Sequence, residues 1–189
     1  MENRVGFWPR VAAALIDFVV VALMALAAKN LVESALPGVY AHKVAQATAD
    51  QRVAAAKGII TTLTGWGVAA ALLGPFYGLI EGFTGRSPGK VVTGLRVVDE
   101  AGQVAGLGTL LARYLVKQSS ALIGFVALFV GARALDLVSQ IVSWGIIAGF
   151  FLVLTKSRQA LHDKIAGTAI LRKSDVGAPS FSDGHPTGA

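Results

Sequence analysis

The chain has 189 residues, 54% of them hydrophobic and only 15% charged, with a formal net charge of +6 and no cysteine. A soluble domain carries about 25% charged residues, so this surface has too few charges to face water everywhere, and lipid has to cover part of it. The composition excludes a disordered chain, a disulfide-stapled secreted domain and thiol chemistry, and it argues against a soluble enzyme.

Four apolar runs follow one another along the chain. A bilayer core about 30 Å thick takes roughly 20 helical residues, so they predict spans at about 11–30, 60–83, 113–132 and 137–154. The first run is broken only by Asp17. Arg4, Arg10 and Ala25-Leu-Ala27 around it superficially suggest a cleavable secretion signal. A carboxylate within the run weakens insertion by about 2.5–3.5 kcal/mol and argues against that. Between the first two spans, Pro37-Gly38 marks a turn, and the Ala-, Gln- and Lys-rich stretch after it predicts a polar helix running on into the second span.

The next polar segment differs in kind. Val91 to Val98 is β-branched, Asp99-Glu-Ala-Gly102 reads as a turn, and Gln103-Val-Ala105 as a short return strand. Leu107 to Lys117 predicts an amphipathic helix at the interface ahead of the third span. Ser174 to Ala189 reads as a disordered tail behind a membrane domain of residues 1–173. The expected fold class is thus an all-α membrane protein, a four-transmembrane-helix bundle with a small cytoplasmic β-hairpin between helices 2 and 3. Lys and Arg beside the spans divide twelve against five, the larger share lying with both chain ends. The positive-inside bias therefore predicts a multi-pass protein with both termini cytoplasmic. The positive charge reads as topology plus attraction to anionic lipid, with no nucleic-acid partner.

Asp17 is the residue that most needs a reason. It lies seven positions, about 10 Å, beyond Arg10 on one helix face, too far for an easy direct pair, so its partner must come from another helix, from water or from a proton. Its two readings are a hydrogen-bonded staple between helices and a proton or cation site. Glu81, near the end of the second span, approaches the same level, so Asp17, Glu81 and Arg10 are the ion or proton site candidates. Ala70, Gly74, Gly78 and Gly82 repeat at spacing four, a stripe for close helix packing, with Pro75 inside it. Arg86, Lys90, Arg113 and Lys117 are candidates for holding lipid headgroups.

Other chemistry is poorly supported. Gly85-Arg-Ser-Pro-Gly-Lys90 has the wrong glycine spacing for a phosphate loop and no strand before it. His162 beside Asp163 falls short of a metal ligand set, and no Gly-x-Ser-x-Gly is present. The sequence therefore predicts neither an enzyme nor any cofactor or metal.

Three segments together resemble the RDD family of bacterial membrane proteins, named for an arginine and two aspartates. They are Arg10-Val-Ala-Ala-Ala-Leu-Ile-Asp17; Gly85-Arg-Ser-Pro-Gly-Lys90 with Gly94-Leu-Arg-Val-Val-Asp99; and Arg158-Gln-Ala-Leu-His-Asp163-Lys-Ile-Ala-Gly167. On this resemblance Arg10 and Asp17 match the first two name residues, and Asp163 is the candidate for the third. Sodium/proton antiport has been associated with some members, which implies a bacterial plasma-membrane protein exchanging a monovalent cation for a proton. The alternative is a non-catalytic accessory or assembly subunit of a larger membrane complex, whereas a transporter built from so small a bundle calls for a homo-oligomer.

Overall fold

The computed structural model describes residues 3–49 and 56–177. Four helices in it are long and apolar enough to cross a bilayer: α1 (Phe7–Ala35), α3 (Lys57–Thr84), α5 (Leu107–Val130) and the helix α6 (Arg133–Phe150), which a 3-10 turn extends to Leu154. Their ends follow local chemistry. Pro9 sits in the first turn of α1, where its missing N–H has no intrahelical partner to lose. Gly85 and Gly131 stop α3 and α5 in the left-handed conformation, at φ +69° and +70°.

The spans are packed in a row. α1 packs on α3, α3 on α5 and α5 on α6, while α1 and α6 hardly touch along their length. They meet at one end only, where the Phe7 ring lies 5.4 Å from Phe150 and 5.9 Å from Phe151 between centroids. The row is therefore unclosed, with a seam between its first and last members.

The polar segments depart from the sequence expectations in five ways. The stretch after α1 forms a separate helix, α2 (Pro37–Ala47), capped at Thr48 rather than continuing into α3. It packs on α3 and is tied to α6 by Lys43 and Asp136 at 2.8 Å. The β-branched run divides, with Pro88–Val92 forming the short helix α4 and only Leu95–Asp99 forming strand β1. Ser87 caps α4 and Pro88 occupies its first position, so helix-start chemistry outweighs β-propensity there.

The expected local hairpin is also replaced. β1 pairs antiparallel with β2 (Thr168–Arg172), which follows the last span, in the register Leu95↔Arg172, Val97↔Ile170 and Asp99↔Thr168. The return strand shrinks to a single bridge, Val98↔Val104. A distant strand that is itself buried removes more apolar surface than a three-residue return. Leu107 to Lys117 is no separate surface helix but the first half of α5, and its residues Leu110, Arg113 and Tyr114 are buried. Of the expected tail, residues 174–177 are ordered: Lys173–Asp175 forms a 3-10 turn and the Gly177 N–H donates to the Gly102 carbonyl at 3.1 Å. Residues 178–189 lie outside the described part.

The sheet closes one end of the row. Val5, Ala13, Leu95, Val97, Ala105, Leu110 and Ile170 form a buried apolar cluster beneath it. One last helix, α7 (Leu161–Ile165), lies between α6 and β2 and packs on α5 and α6. The outside of the bundle is strongly apolar: Phe18, Leu31, Ile59, Phe76, Ile141 and Trp144 are all exposed there. That is the surface a lipid-embedded bundle presents.

Candidate functional site: an ion network beneath a lateral cavity

Two buried polar clusters lie at the end of the bundle that carries the sheet. The first is built on Asp163, fully buried at the third position of α7. Its Oδ2 accepts from Arg10 Nη1 at 2.6 Å and from the Ala160 N–H at 3.3 Å, and its Oδ1 accepts from Arg113 Nε at 2.7 Å. Arg10 also donates to the carbonyls of Val5 (3.1 Å) and Arg158 (2.8 Å), so all three of its nitrogens are satisfied. The backbone of Arg158 has φ +46°, a left-handed conformation that costs a non-glycine residue about 1–2 kcal/mol. The bend aims its carbonyl at Arg10.

Glu81, on α3, is the second carboxylate of this cluster and is shared by three cations. Oε1 accepts from Lys90 of α4 and from Arg113 of α5, and Oε2 from Lys117 at 2.7 Å. Arg113 thus bridges Glu81 and Asp163, and it also lies 3.2 Å from His162 Nε2. As Arg only donates, that nitrogen accepts, and the imidazole proton sits on Nδ1, which has no partner among the described residues.

Electrostatics outside the spans follow from burial and sign. Burial pushes the Lys90 ammonium down to about 7, with Glu81 opposing the fall. Burial and neighbouring Arg113 push the His162 imidazole down to about 3, so it is neutral in the fold. Burial alone would raise the Asp163 carboxyl, but Arg113 and Arg10 outweigh it and hold the group well below the usual carboxylate range.

The second cluster is built on Asp17. Its Oδ1 accepts from Tyr77 Oη (2.6 Å) and the Gly89 N–H (2.7 Å), and its Oδ2 from Ser87 Oγ (2.5 Å). One carboxylate on α1 thereby fixes α3 and the start of α4. Gly89 makes this approach possible, because a Cβ there would run into the Ala13 carbonyl oxygen and the Asp17 carboxyl.

Both clusters face a cavity of about 490 Å³ lying between α1, α3, α5 and α6. Arg10, Asp17, Glu81, Lys90, Arg113 and Lys117 lie at its polar end, and Ala14, Phe18, Ala71, Ala121 and Ile147 are among its apolar walls. The three candidates read from the sequence thus share one cavity, but Arg10 pairs with Asp163 and not with Asp17 or Glu81. The small-residue stripe divides its work. Gly78 and Gly82 pack against Tyr114 and Gln118 of α5, whereas Ala70 and Gly74 line the cavity. Of the four headgroup candidates, Lys90 and Arg113 are buried in the ion network rather than at the surface, Lys117 is partly exposed, and Arg86 lies outside the cavity.

Sequence reasoning missed Tyr77 and met Ser87, Gly89 and His162 only within patterns it rejected as a phosphate loop and a metal site. Tyr77 had a detectable signal, a polar group four residues before Glu81 on the same helix face. Ser87-Pro88 had another, a helix cap followed by a first-turn proline. Nothing local marks the unpartnered nitrogen of His162.

A row of four apolar helices with ionisable groups buried at one end defines a multi-pass membrane protein. The chain belongs to the RDD family, whose profile matches residues 4–167. No curated protein and no solved structure matches it.

Proposed function

We propose that this chain is a proton-coupled exchanger of the bacterial plasma membrane, with both termini cytoplasmic and the cavity as its working site. The orientation rests on the lysine and arginine bias. The observation that carries the reading is the buried Lys90 ammonium on Glu81 at the polar end of the cavity, which burial pushes down to about 7. Ionisable groups inside a spanning bundle are costly and mark functional sites.

The geometry moves the proton-releasing role away from the carboxylates. Glu81 is held by three cations and Asp17 by three hydrogen-bond donors, so both carboxylates are already engaged. When Lys90 releases its proton, the cavity end loses one positive charge. A monovalent cation entering beside Asp17 and Glu81 restores it, which makes the exchange one for one.

The test is proton flux in proteoliposomes carrying a pH-sensitive dye, driven by a sodium or potassium gradient. Wild-type flux that vanishes in a folded Lys90→Met variant supports the reading. A wild type no faster than empty liposomes sinks it, as does undiminished flux in Lys90→Met. The alternative, an accessory role in a larger complex, draws on the unclosed seam between α1 and α6, which is suited to a partner helix. It predicts a stoichiometric partner on purification in mild detergent.

A further inference from the structure

With Lys90 protonated, the polar end of the cavity is out of charge balance. Four cations (Arg10, Lys90, Arg113 and Lys117) face three carboxylates (Asp17, Glu81 and Asp163), and Asp17 is already engaged by Tyr77, Ser87 and Gly89. Within the ion network itself the four cations share only Glu81 and Asp163. An excess of buried positive charge in a low-dielectric setting is costly unless an anion joins it.

Two donors remain to receive one. Lys117 spends one of its three hydrogens on Glu81 and its side chain is 36% exposed. His162 also borders the cavity, is 6% exposed, and has an Nδ1–H without a partner among the described residues. Buried donors left unsatisfied are uncommon and call for an occupant.

The walls say what carries the anion. Away from the charges the lining is mostly Ala, Ile, Phe and Val, with Gly74, Pro75, Gly78 and Gln118 on the α3–α5 side, and it extends to the seam where α1 and α6 do not pack on each other. Phe18 on α1 and Ile147 on α6 both line the cavity and are exposed on the outer surface, so the cavity reaches the lipid-facing side between them. A ligand entering there comes from the bilayer, tail against the apolar walls and head toward Lys117 and His162. The volume suits a headgroup with the first part of its chains.

We propose that the cavity is a binding site for an anionic amphiphile with a phosphate-type headgroup, admitted laterally between α1 and α6. This rests on the reading of the cavity as the working site and does not require proton coupling.

The experiment measures equilibrium binding to the full chain in an uncharged detergent, by native mass spectrometry. The probes are short-chain phosphatidylglycerol, the matched phosphatidylcholine and inorganic phosphate. Phosphatidylglycerol should bind at least ten-fold more tightly than phosphatidylcholine, with inorganic phosphate weaker than either. Lys117→Gln at the exposed rim should cost about ten-fold for phosphatidylglycerol alone. Ala121→Phe, which fills the apolar wall, should weaken both lipids and confirm that chains enter the cavity.

Equal binding of the two lipids overturns the proposal. So does inorganic phosphate binding as tightly as phosphatidylglycerol, which makes the ligand a free anion, and so does a dimer whose seam residues are shielded from both lipids. Selective lipid binding without proton flux would remove the exchange reading and keep this site; flux without headgroup selectivity would do the reverse.

Discussion

Glu81 is the residue on which the ion network depends, and the charge imbalance gives its loss a definite sign. Glu81→Gln keeps the side-chain volume but leaves Lys90, Arg113 and Lys117 around a neutral amide whose own N–H hydrogens face theirs. Removing one partner from a buried ion pair costs about 3–5 kcal/mol. For a chain of this size each kcal/mol is about 2–4 °C in Tm, so the variant should unfold roughly 6–20 °C lower. Lys90→Met does the opposite to the charge balance, because it removes one of the excess cations and puts an apolar group in its place. Its effect should stay within about 1 kcal/mol, on either side of zero. The double variant should recover about 1–3 kcal/mol relative to Glu81→Gln, since two of the three positive charges are then left. Thermal unfolding in detergent, followed by the fluorescence of Trp8, Trp66 and Trp144, measures all three. Lys90→Met as damaging as Glu81→Gln, or a double variant no better than the worse single one, would refute the claim that positive charge is in excess.

Two further outcomes follow from the same geometry. Gly89→Ala should cost about 1–3 kcal/mol by forcing α4 off the Ala13 backbone and the Asp17 carboxyl, whereas Gly78→Ala meets chiefly the movable amide of Gln118 and should cost less than about 1 kcal/mol. Comparing the two Tm values checks this, and equal losses would mean that the Gly89 approach is not rigid. On acidification, His162 stays neutral in the fold down to about pH 3 while its unfolded form binds a proton below about 6.5, so stability should fall as pH drops from 6.5 toward 3. Asp163, depressed in the fold, adds a second loss below its ordinary value of 3.8. A Tm–pH profile of His162→Gln should lack the first fall and keep the second; an unchanged profile would remove His162 as the cause.

The amino-acid sequence was sufficient for whatever depends on short-range pattern. Four apolar runs of spanning length specify four spanning helices, because a backbone in lipid must satisfy its own hydrogen bonds and a helix does so locally. The membrane class was equally legible, since it follows from the scarcity of charge. Asp17 stood out as a carboxylate inside an apolar run, with Arg10 on the same helix face, and Asp163 only through the family resemblance. Their neighbours did not: helix spacing put Arg10 and Asp17 too far apart to pair, as the structure has them, but could not say which groups they meet instead.

Tertiary structure decided the partners. Arg10 meets Asp163 across 153 positions of chain, Asp17 meets Ser87 across 70, and β1 finds its strand beyond the last span. The physical reason is the same in each case. A buried charge or an unpaired strand edge must be satisfied by whichever group the packed helices bring near it, and packing in the row α1–α3–α5–α6 is a property of whole helix faces. The local run Val91 to Val98 is β-branched, yet its first part is helical: the Ser87 cap and Pro88 start α4, and Asp17, arriving from another helix, holds that start through Ser87 and the Gly89 N–H. Where local preference is weak and the cost of an unmet polar group in a low-dielectric interior is several kcal/mol, the distant partner wins.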